Sequence, residues 1–128
     1  NELEQIPPLT DLKSLLVVDV TSNKITRLPV LNKTLKVLLA SSNLLEELPV
    51  NLGDLSNLEY LQANNNCISY IPESISKLTH LHRLEICSNE LRALPSNFAI
   101  SSLEVLRLSY NHVQVSPLTF VFNSILPF

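Results

Sequence analysis

The sequence predicts an α/β solenoid, in which short parallel strands stack along one side of the chain and short helical turns stack along the other. Three observations lead to this prediction. A pattern of apolar residues recurs five times, an asparagine follows each apolar segment at intervals of 20 to 23 residues, and a proline closes each copy. Repeats of this length are typical of solenoids, because each unit buries its apolar face against the next.

The clearest copy covers residues 81–95, which read LHRLEICSNELRALP. Leu81, Leu84 and Ile86 alternate with variable residues, which is the period of a strand with one buried face. Asn89 then marks a turn, where its amide can bond to backbone groups of its own repeat and of the neighbouring repeat. The asparagines at this position are Asn23, Asn43, Asn66, Asn89 and Asn111.

The proline that closes each copy predicts how the chain returns to the next strand. Proline suits the first turn of a helix, because its missing N–H needs no partner there. The apolar residues that follow Pro72 are three apart, which favours a short 3₁₀ or α turn. We therefore expect helical turns after Pro49, Pro72 and Pro95. Only residues 30–34 separate Pro29 from the next copy, so we expect an irregular link there.

The apolar residues and the asparagine of each copy match L-x-x-L-x-L-x-x-N-x-L, and the chain therefore resembles the leucine-rich repeat proteins. The resemblance implies a horseshoe with a parallel β-sheet on its concave side and helical or 3₁₀ turns on its convex side. We expect one domain, 1–128, with a partial repeat at 1–14 and full repeats at 15–34, 35–57, 58–80, 81–102 and 103–125. Segment 118–128 is either a divergent cap or a truncated repeat; an uncapped end would associate with another chain.

The variable strand residues are the predicted partner-binding residues, because they face outward on the concave side. The apolar half and the charged half of this surface together resemble a protein interface. The alternative is that the charged residues only pair with one another, which contributes at most about 1 kcal/mol. The predicted residues are Val17, Asp19, Val37, Leu39, Tyr60, Gln62, Arg83, Glu85 and Arg107.

Composition limits the function classes. A net charge of -3 argues against a nucleic-acid binder, and no apolar run approaches the roughly 20 residues that span a bilayer. His82 and Cys87 are about 16 Å apart along an extended strand, too far to share a zinc ion. We expect no metal, no cofactor and no catalytic residue. Two isolated cysteines, without the terminal clusters of extracellular members, favour a reducing compartment and a cytoplasmic location.

The repeat form N-x-L-x-x-L-P-x-x-I-x-x-L-x-x-L, close to residues 66–81, resembles the intracellular Ras-suppressor and Scribble-like class. That resemblance implies a scaffold or adaptor that binds a small GTPase or another signalling protein. The shorter first repeats, residues 9–29 and 31–49, instead resemble those of secreted bacterial effectors. They imply an alternative, namely the substrate-recognition domain of an effector whose catalytic domain lies outside this chain.

Overall fold

The computed structural model describes residues 2–96 and 98–113 and contains one parallel sheet. Its five strands pair in sequence order, each with the next, as a solenoid requires. The structure confirms the predicted solenoid of parallel strands. The strands are β1 (Val17–Asp19), β2 (Val37–Leu39), β3 (Tyr60–Gln62), β4 (Arg83–Glu85) and β5 (Val105–Arg107).

The middle residue of every strand points into the core. Leu38, Leu61, Leu84 and Leu106 occupy the same register position, and each has no exposed surface. Val18 continues this column in β1 and is 7% exposed. The aliphatic residues of each repeat therefore pack on those of the next, which is how a solenoid buries a core that no single repeat could form.

The convex side carries 3₁₀ helices at Leu52–Asp54 and Glu73–Lys77, after Pro49 and Pro72 as predicted. The two helices approach closely at Gly53, where an added Cβ would lie 2.7 Å from the Cβ of Ser74.

After Pro95 the described residues show a single turn, closed by a hydrogen bond from the Phe98 N–H to the Pro95 carbonyl at 3.1 Å, and Asn97 within this segment lies outside the described residues. The return segment at 96–102 is one residue shorter than 73–80, and Ser101 stands where the earlier copy has Leu78. The three-residue apolar spacing is therefore broken at Ser101, and Ile100 is buried instead. The link after Pro29 is irregular, as expected.

Each repeat turns sharply just before its asparagine. Ser22, Ser42, Asn65, Ser88 and Tyr110 have φ values between 55° and 61°. This left-handed conformation turns the chain directly before each asparagine, whose side chain bonds to the preceding repeat. None of these residues is glycine, so the fold imposes the conformation.

The predicted cap or truncated repeat at 118–128 lies outside the described residues, as does the end of the repeat at 103–125. Within the described part of the chain, no helix is long and apolar enough to cross a membrane.

Candidate functional site

Buried asparagines fix the spacing of the strands that carry the candidate site. The Oδ1 of Asn66 accepts a hydrogen bond from the Leu45 N–H of the preceding repeat at 3.0 Å. Its Nδ2 donates to the carbonyls of Ala40, Ala63 and Asn64 at 3.0–3.2 Å. The side chain thus satisfies backbone groups in two repeats, which explains why a polar residue is tolerated at this buried position.

Neighbouring asparagines share acceptors. The Ala40 carbonyl receives both Asn43 and Asn66, and the Ala63 carbonyl receives both Asn66 and Asn89. Asn111 likewise reaches back to the preceding repeat, where it donates to the Ile86 carbonyl at 2.7 Å. This chain of shared hydrogen bonds holds the end of every strand in register with the next, so the strand side chains form straight columns across the sheet.

The concave face consists of two such columns, formed by the first and third residues of the strands. The first column aligns Val17, Val37, Tyr60, Arg83 and Val105, and the second aligns Asp19, Leu39, Gln62, Glu85 and Arg107. All nine predicted partner-binding residues therefore lie on one surface. Val17, Asp19 and Arg107 are exposed, Glu85 is buried, and the others are half-buried.

Glu85 is the centre of a hydrogen-bonded network on this face. Its Oε2 accepts from Arg83 Nε and, at 3.1 Å, from the Tyr60 hydroxyl. Its Oε1 accepts from Asn64 Nδ2 at 3.3 Å. Gln62 Nε2 donates in turn to the Tyr60 oxygen at 3.1 Å. Both carboxylate oxygens are therefore occupied, which is why an acidic side chain can be only 6% exposed here.

The network also holds the Tyr60 ring. The Arg83 guanidinium carbon lies 5.3 Å from the centroid of that ring, in cation–π range. The phenol oxygen is meanwhile fixed by Glu85 and Gln62. Tyrosine and arginine are thus held in one arrangement at the middle of the concave face.

The electrostatics follow from these contacts. Burial alone would raise the pKa of Glu85, but the hydrogen bonds from Arg83, Asn64 and Tyr60 outweigh it and lower that pKa. Burial, together with the negative charge of Glu85, raises the pKa of the Tyr60 hydroxyl. At neutral pH the pair is therefore an ionised carboxylate and a neutral phenol, which suits the observed O–H···O⁻ bond.

The two ends of the second column carry opposite charges. Asp19, in β1, accepts a hydrogen bond from the Thr21 N–H at 3.0 Å, and bonds from the Thr21 hydroxyl and N–H lower its pKa. Arg107, in β5, lies beside Glu85 in the register but forms no ion pair within residues 2–96 and 98–113. Mutual pairing of the charged residues therefore accounts for Arg83 and Glu85 but not for Arg107.

Sequence reasoning did not identify Asn64 as a partner of Glu85. Asn64 also accepts the Cys87 N–H at 2.7 Å, so it joins β3 to β4 just beyond the strands. The sequence could have indicated this contact, because alignment of the repeats places Asn64 opposite Cys87, two residues after Glu85. The pairing of Tyr60 with Glu85 is diagonal across two strands, and only the side-chain geometry reveals it.

The residues considered for chemistry are separated. Cys67 and Cys87 are free thiols, and the nearest polar group to the His82 ring is the Ser102 carbonyl at 3.2 Å. Among the described residues, no group of three or more His, Cys, Asp or Glu side chains could hold a metal ion.

Comparison with known proteins supports a leucine-rich-repeat architecture. Residues 57–78 match the Leucine Rich Repeat family model. The solved structure of an LRR protein from Leptospira interrogans superposes with a TM-score of 0.65 at 24% sequence identity. The chain has the leucine-rich-repeat fold. The superposition covers 100% of this chain and 53% of the Leptospira chain, so the sequence spans about half the length of that protein. No curated protein is significantly similar in sequence.

Leucine-rich repeats generally mediate contacts between proteins, and they are typically non-catalytic. The repeat supplies a surface whose specificity depends on the variable strand residues. In this chain the variable strand residues form the two columns of the concave face.

Proposed function

We propose that this leucine-rich repeat domain is a protein-interaction module that binds a protein partner on its concave face. The observation that carries the proposal is the network around Glu85, which holds Tyr60 and Arg83 in place beside half-buried aliphatic side chains. Tyrosine and arginine dominate binding energy at protein interfaces. Side chains that are already ordered lose less conformational entropy on association, so less of the interaction energy is spent on ordering them.

The apolar half of the concave face supports the same proposal. Val17 is 52% exposed, and the neighbouring Val37 and Leu39 are only partly covered. Adjacent aliphatic side chains on a solvent-facing sheet favour contact with another protein. A solvated face would need no such residues.

The finer proposal is a scaffold or adaptor in the cytoplasm whose partner is a signalling protein, such as a small GTPase. It rests on the resemblance of residues 66–81 to the intracellular repeat class. The two free thiols agree with a reducing compartment.

The alternative remains the recognition domain of a bacterial effector. It is favoured by the short repeats at 9–29 and 31–49, and the return segment at 30–34 carries no helix in the structure. The sequence that flanks this chain in the full-length protein separates the two proposals. A ligase domain beside the repeats would favour the effector.

The experiment that tests the concave face is a quantitative pull-down with matched variants. Leu39→Ala and Tyr60→Ala alter the concave face. Leu44→Ala and Tyr70→Ala are their controls, because these residues are 49% and 50% exposed and lie outside the five strands. We expect the first pair to lose partners that the controls retain, with circular dichroism showing that all four variants are folded. Equal recovery by all four would refute the proposal.

A further inference from the structure

The charge that the concave face offers to a partner is positive at its β5 end. Glu85 is the acidic residue of β4, and both of its oxygens are already bonded within the chain. Its charge is balanced by Arg83. Arg107 is exposed and forms no ion pair with a described residue, so it remains the uncompensated charge of this half. This local sign is opposite to the net charge of -3 for the whole chain.

The aliphatic part of the face lies toward the other end, around Val37 and Leu39 in β2. Three strand spacings separate β2 from β5, which corresponds to about 14 Å at roughly 4.8 Å per strand. An extended peptide that crosses the sheet covers about 13 Å in four residues, at roughly 3.3 Å per residue. One short segment can therefore contact both features.

Asp19 fixes the order of charges along such a segment. It is exposed and sits beside Leu39 in the register, at the end of the column opposite Arg107. In an extended segment, an acidic residue two positions from the aliphatic one on the β1 side points to the same face and would meet this carboxylate, whereas one four positions away on the β5 side would meet the guanidinium of Arg107. The column therefore discriminates by the position of the acid as well as by its presence.

We propose that the partner presents an extended segment with an aliphatic residue four positions from an acidic residue. The aliphatic side chain packs on Val37 and Leu39, and the carboxylate pairs with Arg107. This inference rests on the proposed function and specifies the chemistry of the partner. Charge complementarity with Arg107 and the width of the sheet are the two arguments for this occupant.

The test is selection of a random seven-residue peptide library displayed on phage against three forms of the chain. They are the unaltered protein, Arg107→Glu, and the control Arg92→Glu, which changes the net charge equally at an exposed residue outside the strands. We expect the unaltered protein and the control to enrich an aliphatic and an acidic residue four apart. Arg107→Glu should enrich lysine or arginine in place of the acid. Absence of enrichment, or the same motif from all three forms, would overturn the inference.

A charge-swap measurement with one enriched peptide completes the test. Fluorescence polarisation should show at least about fivefold weaker binding when the peptide's acid is replaced by alanine, and about tenfold weaker binding to Arg107→Glu. Replacing the acid by lysine should restore binding to Arg107→Glu and weaken binding to the unaltered protein. If the lysine peptide bound Arg107→Glu and the unaltered protein equally weakly, this result would contradict the pairing with Arg107.

The two proposals fail differently. Loss of partners in the pull-down with Leu39→Ala, combined with no acid dependence in the peptide selection, would leave the binding face standing and refute the partner chemistry. Equal pull-down recovery by the concave variants and their controls would refute the binding face, whatever the peptides show.

Discussion

Replacement of Asn66 by alanine tests the shared hydrogen bonds that align the repeats. The substitution removes four hydrogen bonds, but their loss is unequal. The carbonyls of Ala40 and Ala63 keep the amides of Asn43 and Asn89 as donors. The Asn64 carbonyl likewise keeps the Ser42 N–H. The Leu45 N–H, in contrast, keeps no partner, and Leu45 has no exposed surface.

The expected cost follows from this inventory. One buried N–H without a partner costs about 1–3 kcal/mol, and the weakened carbonyl contacts bring the loss to about 2–4 kcal/mol. Asn23→Ala is the matched control, since its Oδ1 receives the exposed Leu3 N–H, which water can satisfy. We expect the control to lose under about 1 kcal/mol.

Urea unfolding followed by circular dichroism measures both values, and equal m-values are needed for the comparison. A loss for Asn23→Ala as large as that for Asn66→Ala would refute the reasoning, because burial would then not matter. A loss below about 1 kcal/mol for Asn66→Ala would refute it as well.

The variant Asn66→Asp tests whether the nitrogen of the Asn66 amide, rather than its oxygen, faces the three carbonyls. An ionised carboxylate would face three carbonyl oxygens, so this variant should be less stable than Asn66→Ala at pH 7. Burial and those oxygens would raise the pKa of the new carboxyl in the folded state. Its protonated form can donate one hydrogen bond, so the stability that it contributes should be present at low pH and lost as the pH rises.

Three further predictions concern the packing and the electrostatics. Gly53→Ala should lower the free energy of unfolding by about 1–3 kcal/mol, because the new Cβ would lie 2.7 Å from the Cβ and 3.1 Å from the carbonyl oxygen of Ser74. Adding Ser74→Gly should recover part of this loss in urea unfolding, and an undiminished loss would contradict the clash. Leu84→Ala should cost about 2–5 kcal/mol by the same assay, because Leu84 is fully buried; a cost under about 1 kcal/mol would mean that the column repacks. The lowered pKa of Glu85 means that its ionised form stabilises the fold above its ordinary value of 4.5, and that this stability is lost as the pH falls through the folded-state pKa. The stability difference between the unaltered protein and Glu85→Gln should therefore shrink on acidification, whereas a difference that is constant with pH would exclude a role for the carboxylate charge.

The fold could be predicted from the sequence because register is encoded locally. Fifteen residues run from the first leucine of each copy to its proline, as in 58–72 and 81–95, so alignment of the copies also aligns the strands. Leu61 therefore pairs with Leu84 in the structure. The return after Pro95 differs from the return after Pro72, because Ser101 interrupts the three-residue apolar spacing that Ile75 and Leu78 maintain in the earlier copy.

The candidate site was predictable as a surface but not as a network. Alternation along the strands indicates that Glu85 faces outward, which predicts exposure, yet it is buried beneath Arg83 and Tyr60. Burial of a carboxylate depends on whether neighbouring side chains can reach both of its oxygens. That requires side-chain geometry across two neighbouring strands, which residue spacing does not contain. The left-handed turn at Ser88 is similar, since serine has no preference for that conformation.

The fifteen residues from the first leucine to the proline form the front of each repeat, and their number is constant. The return segment behind them varies in length, and this difference determines where the chain can accept insertions. Between the proline of one copy and the first leucine of the next copy lie five residues at 30–34, eight at 50–57 and 73–80, and seven at 96–102. The front columns nevertheless stay aligned across all of these joints. Insertions or grafted loops placed in the return segments should therefore leave the concave columns in place, whereas a single residue added between the first leucine and the proline of a repeat would shift the later strand side chains of that repeat out of their columns.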